Sequence, residues 1–415
     1  MSFGDRRAKC LAVALVLWCS PLSAQVPWAP GFIETRGLLF PQEAANDDTR
    51  AVADVLWRQE GLFRPASWLQ LAAGADLRAN THDEVEHVWR LDWEDRHTHR
   101  PRLAVRRLAA TVAARGFTLD VGKQLIRWAR TDVLNPIDRF APRDYLNVID
   151  SEFLPVIGAR AALQLGPETL EGVWTLQLTP SRIPLLDQRW TVLPPEAAGA
   201  SVVDAGSRFP TRGQAGGRWR HTGGRFEAGL SFFDGFNHHP EIEVRTPTVP
   251  GGAFTLTRVF PRIRTYGADF AIPTGWLTLK GEAAYFTSPH NAFPEYGLYV
   301  AEIERQIGEW LLTGGYAGEV VTGEERPLAF DPERSLARSF IVRAAYTVDP
   351  RRTVAVEAVG RQSGDGYYLN AEYSQAVGEF WRLTLTQVIL AGDEDDFLGR
   401  YDRNSHFSAA LRLSF

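Results

Sequence analysis

The densest run of chemistry-bearing side chains is Arg127-Trp-Ala-Arg-Thr-Asp-Val-Leu-Asn-Pro-Ile-Asp-Arg-Phe-Ala-Pro-Arg-Asp-Tyr145. Arg127, Arg130, Arg139 and Arg143 stand beside Asp132, Asp138 and Asp144. Opposed fixed charges of this kind, held in a narrow passage, sort solutes by size and by field. The same run carries Trp128, Leu134, Phe140, Tyr145 and Leu146. A loop waving in water has no use for them, whereas a loop folded into an interior does. The bland reading is that Asn135-Pro136 and Ala141-Pro142 are turns and that the Arg/Asp pairs only pin the loop in place.

Covalent and metal chemistry find less support. Both cysteines, Cys10 and Cys19, lie near the amino end, so no thiolate site or disulfide framework is expected beyond it. His221, His238, His239, His290 and His406 are scattered, and none sits in a Gly-x-Ser-x-Gly or His-Glu-x-x-His setting. Adjacent His238 and His239, followed by Pro240, are not expected to converge on one metal. The expectation is therefore no catalytic residues, no metal, no cofactor and no enzyme.

The elements that must position the charged run are read from period-two alternation. In the last ten residues, Phe407, Ala409, Leu411, Leu413 and Phe415 share one face, and His406, Ser408, Ala410, Arg412 and Ser414 share the other. That is a strand, of the length a tilted strand needs to cross a bilayer. Similar segments occur at about 68–79, 85–94, 102–114, 116–128, 156–165, 169–179, 213–221, 225–235, 261–272, 276–287, 296–306, 309–320, 338–348, 352–362, 366–377, 380–391 and 405–415. An even barrel needs one more, from 32–40 or 51–60, which gives about 18 strands, with 16 as the alternative. Long connections (129–155, 180–212, 236–260, 288–295, 321–337, 392–404) alternate with tight turns such as Leu165-Gly-Pro-Glu and Ile272-Pro-Thr-Gly. Only the link at Ser363-Gly-Asp-Gly366 is short where a long one is due. Loops sorted in this way are expected of a transmembrane barrel and not of a sandwich.

The fold class predicted is all-β, a transmembrane antiparallel β-barrel over residues 51–415, with 25–50 as a first strand or a periplasmic lid. Arg6, Arg7 and Lys9, the apolar run Leu11–Trp18 and Pro21-Leu-Ser-Ala24 read as a signal peptide over 1–24. Residues 25–50 are too few for a plug domain. The inner strand face predicts a wet lumen lined by Lys280, Glu282, Arg343, Glu357, Arg361, Glu372, Arg382 and Arg412, because a charge on the lipid face costs roughly 2–4 kcal/mol at the midplane. Aromatics make up 11% of the chain and Trp alone numbers 13, enough for interfacial girdles. The net charge of −5 with mixed signs argues against a nucleic-acid partner. Three lesser clusters stand out. Ser181-Arg182-Ile-Pro184 with Arg189-Trp190 suits a sugar or carboxylate, Arg262 and Arg264 would extend a basic ladder, and Asp393-Glu-Asp-Asp396 would hold a cation or simply face water.

Gly122-Lys-Gln, followed by Trp128 and Asn135-Pro136-Ile-Asp138, resembles a pattern of porin-like Gram-negative outer-membrane proteins. Along most of the chain the architecture is similar to alginate-export-type barrels of eighteen strands. The resemblance implies a bacterial outer-membrane location and passive passage of a small polar or anionic solute, with loop 127–155 folded inward as a constriction. The expected partners are outer-membrane lipid and lipopolysaccharide, and the barrel-assembly machinery acting through Phe415. The alternatives are a receptor or adhesin using the outer loops, or a barrel-embedded hydrolase.

Overall fold

In the computed structural model, residues 29–132, 134–192, 201–246, 253–289, 294–322, 331–362 and 364–415 are described. The leader and its cleavage site, and His290, lie outside them.

Eighteen long strands follow one another around a single sheet: β1 Gly31–Leu39, β2 Ala51–Ala66, β3 Leu69–Asn80, β4 Leu103–Ala114, β5 Phe117–Gln124, β6 Val156–Leu165, β7 Glu168–Thr175, β8 Gln214–Thr222, β9 Glu227–Phe236, β10 Arg262–Pro273, β11 Thr278–Thr287, β12 Tyr296–Ile307, β13 Trp310–Val321, β14 Ser339–Asp349, β15 Arg352–Arg361, β16 Tyr367–Val377, β17 Trp381–Ala391 and β18 His406–Ser414. Each pairs antiparallel with the next, and β1 pairs with β18 from Phe32↔Ser414 to Leu39↔Phe407. Closure leaves the ring of described strands without a free edge, the condition a membrane-spanning sheet must meet.

Two of the predicted elements change. Residues 85–94 form no barrel strand, because β3 pairs directly with β4 through Leu77↔Leu103. The alternation of Val85, His87, Trp89 and Leu91 instead belongs to a loop stitched to itself by the Val85↔Arg100 bridge. Both candidates for the missing strand are real, as β1 and β2, so the count stays at eighteen and the barrel begins at Gly31 rather than residue 51.

The two faces of the wall separate as the alternation requires. Leu230, Phe340, Val342, Leu411 and Phe415 are exposed to the outside, while Phe233, Phe286, Leu298 and Ile341 are buried inside. Exposed Trp68, Trp276, Trp310 and Trp381 all sit at the short-turn end, the position of an interfacial girdle. The apolar core lies inside the ring. One cluster joins Ile126, Trp128, Ile137 and Phe140 to wall residues Val173, Phe233, Ile263 and Phe286. A second joins Leu134, Val148 and Trp190 to Val300, Val388, Phe397 and Tyr401.

Candidate solute passage

The loop between β5 and β6, residues 125–155, is built to dock on the inner wall. Phe140 meets Trp128 and Phe233 edge to face, with ring centroids 5.2 and 5.1 Å apart. Two wall glycines make the room. A Cβ on Gly216 would lie 2.9 Å from the Phe140 ring, and one on Gly267 would lie 2.6 Å from Ile137. Within the loop, the Asp138 carboxylate accepts the backbone N–H groups of Trp128 and, at 2.7 Å, Ala129. Glu282 on β11 does the same across the gap, accepting from the Arg130 and Ile137 amides at 2.9 and 3.0 Å. A buried carboxylate that collects backbone donors fixes a loop far better than apolar contact alone.

The docking contacts show that the loop crosses the lumen. At one side Arg130 pairs with Asp269 of β10 at 2.8 Å and with Glu227 of β9. At the other, Glu152 meets Arg58 of β2 at 2.6 Å and Arg78 of β3, and Asp150 meets Arg36 of β1. In a ring of eighteen, β2 and β11 are half a turn apart, so a segment that touches both spans the interior.

The predicted constriction residues divide into two groups. Asp138, Arg139 and Asp144 are buried and hold the loop rather than face an opening. Arg139 pairs with Glu333 at 2.6 Å, and Asp144 accepts from Arg100 and Arg182 at 3.0 and 3.1 Å. Burial alone would raise the Asp144 pKa, yet those two guanidinium groups hold it down to about 2. Arg130 is likewise spent on the wall. Arg127 and Arg143 stack on Phe153, at 4.0 and 3.9 Å from its ring centre. Asp132 remains exposed beside Lys280, at 3.0 Å.

The predicted inner-face residues all lie on the lumen side, with different occupations. Lys280 also meets Glu302 and Glu304 at 3.0 and 2.8 Å. Arg343 stands 4.0 Å from Glu357. Arg361 binds Asp396 at 3.2 Å and the Ala337 carbonyl at 2.6 Å, which ties the outer loops and gives the acidic run at 393–396 a structural task. Glu372, Arg382 and Arg412 line an open cavity of about 360 Å³ together with Asn370, Arg36 and Asp150. A neighbouring cavity shares Glu34, Arg36, Asp150 and Arg412 with it and continues to Arg58, Arg78 and Arg100. The two cavities lie between residues 147–152 of the inward loop and the seam where the first and last strands meet.

Sequence reasoning missed most of this basic wall. Arg36, Arg58 and Arg78 sit at the inward parity of β1, β2 and β3, a signal present in the alternation once those segments are read as strands. Both basic clusters of the second long loop are spent on anchoring. Arg182 is locked between Asp95 and Asp144. Arg189 donates to the Gln42 and Arg403 carbonyls, each at 3.0 Å, and Trp190 packs on Tyr401. Arg262 bonds Asp234 at 2.8 Å and Arg264 lies 3.4 Å from the same carboxylate, so that ladder is already satisfied.

An eighteen-stranded closed barrel with an inward loop and a charged passage is the architecture of the outer-membrane porins. No protein-family description matches the sequence, and no curated protein does. Among solved structures, the barrel is similar to a BenF-like porin of Pseudomonas fluorescens Pf-5, with TM-score 0.54 and 12% identity over 93% of this chain and 98% of that one. Acinetobacter baumannii OccAB4 gives TM-score 0.54 and 10% identity over 95% and 99%. Pseudomonas aeruginosa OccK3 (OpdO) gives 0.52 and 12% over 93% and 95%. The shared feature at such identities is the fold.

Proposed function

We propose that the protein is a bacterial outer-membrane channel through which small polar and anionic solutes diffuse passively. The observation that carries this reading is the pair of adjoining cavities beside the inward loop, which share Arg36 and Arg412 and carry Arg58 and Arg78 on one wall and Arg382 on the other. Guanidinium groups bind carboxylate and phosphate oxygens through paired donors. Glu34, Asp150 and Glu372 on the same surface offset part of that charge and let a bound anion move on. The solute enters between the outer loops, passes residues 147–152 and leaves at the short-turn end. No covalent step is required, and the chain is read as a transporter rather than an enzyme. Lipid and lipopolysaccharide surround the outward face, and the C-terminal Phe415 serves as the handle for assembly machinery.

The test is single-channel recording of the refolded barrel in a planar bilayer under a salt gradient. Steady ohmic steps with a reversal potential favouring anions are expected, and Arg382→Gln with Arg412→Gln should move that potential toward zero. Arg130→Ala should leave selectivity alone and make the current noisier, since Arg130 fastens the loop. A correctly folded barrel that passes no current would overturn the channel reading in favour of a receptor that uses the outer loops.

A further inference from the structure

We propose that His238, His239 and Glu333 form a binding site for one divalent transition-metal ion of the zinc type, clamping the outer loops together. The sequence reading expects adjacent histidines not to converge, but the fold brings one donor atom from each of these three residues within 4.8 Å of the others. All three are buried, at 3%, 2% and 8% exposure.

The second observation is where the ring nitrogens point. His238 Nδ1 lies 2.9 Å from Ser181 Oγ, and His239 Nδ1 lies 3.4 Å from Asp331 Oδ1. With each Nδ1–H donating to its oxygen, both Nε2 atoms carry a free lone pair, and neither Nε2 has a hydrogen-bond partner. Two buried, unpartnered acceptors side by side are costly unless something binds them. An oriented ring with the far nitrogen open, supported by a hydroxyl or carboxylate behind it, is the arrangement that metal-ligating histidines adopt.

Glu333 Oε2 accepts from Arg139 at 2.6 Å, which leaves a second oxygen to offer. Two imidazoles and one carboxylate suit zinc, copper or nickel and not calcium or magnesium, which prefer all-oxygen shells. The buried Asp331 supplies negative charge that offsets Arg139. The ligands come from two loops, and Ser181 and Tyr145, whose ring packs on His239, bring in two more. An ion here would tie four outer segments to one point.

The experiment uses tag-free, refolded full-length protein in detergent, stripped with a chelator and then titrated with zinc sulfate. One zinc per chain is expected, with two imidazoles bound to it by X-ray absorption. His239→Gln and Glu333→Gln should each weaken binding roughly tenfold or more, and His221→Gln, far from the cluster, should not. Folding of each variant is checked by the heat-dependent gel shift of an intact barrel. No retained zinc in folded wild-type protein, affinity equal across all variants, or a zinc shell without imidazole would each overturn the proposal. If a variant fails to fold, the wild-type stoichiometry and absorption spectrum decide alone.

Discussion

At the scale of single residues, the pairs that hold the inward loop are more exacting than those that line the opening. Asp144 sits between Arg100 and Arg182; Asp144 and Arg182 are buried and Arg100 is largely so. Asp144→Asn would leave two buried guanidinium groups facing a neutral amide. The expected loss is about 3–5 kcal/mol, measured by urea unfolding of the barrel in detergent. The pH dependence follows from the depressed pKa. The stabilisation is present above the ordinary carboxylate value of 3.8 and disappears as pH falls toward about 2. The Asn variant should show a smaller decline between those values, because Asp95 and Glu84 are held down as well. Arg382, by contrast, is exposed on the inner wall, so its removal should alter ion preference and leave the unfolding midpoint nearly unchanged.

At the scale of elements, docking depends on glycine. Gly267→Val would drive a side chain into Ile137 and Ser231, whereas a Cβ on Gly314 would meet nothing within 4 Å. Larger, noisier conductance is expected from Gly267→Val and no change from Gly314→Val. The first two outer loops are joined by His82, whose Nε2 lies 2.6 Å from Asp47 while its Nδ1 lies 3.6 Å from Glu84. Burial lowers its pKa, but Glu84 and Asp47 outweigh that and raise it above 6.5. The pin is complete below pH 6.5 and is lost as pH climbs through the raised value. On the channel reading, loop-dependent current fluctuations should therefore grow with alkalinity in the native protein and be flat in His82→Gln. Strands were legible because their side chains answer to only two environments, lipid and lumen, at a period of two. The inward turn of 125–155 was legible from Trp128, Phe140 and Tyr145. The partners of its charges were not, since Asp269, Glu282 and Glu333 come from strands and loops more than a hundred residues away. The segment 85–94 misled because alternation records a period of two but not whether a neighbour is free to pair with it.

For the whole molecule, the outward belt sets the strongest constraint. Val342 is 58% exposed on the outward face of the barrel, and its neighbour Arg343 projects into the lumen. Val342→Arg should cost about 2–4 kcal/mol near the midplane, read as a fall in folded fraction on insertion into liposomes, while Arg343→Val should be tolerated. The ring is drawn shut by contacts between opposite ends of the chain: Arg412 bonds Glu34 at 2.8 Å across 378 positions, and both Arg58 and Arg412 lie over the Phe32 ring.

That seam also dictates timing. Until the final nine residues of β18 have been synthesised and delivered, β1 has one side without a partner, a row of amides that any other extended chain could capture. Closure of so distant a pair is intrinsically slow. The nascent protein is therefore open to pairing with its own copies until that strand arrives, and its arrival ends the hazard.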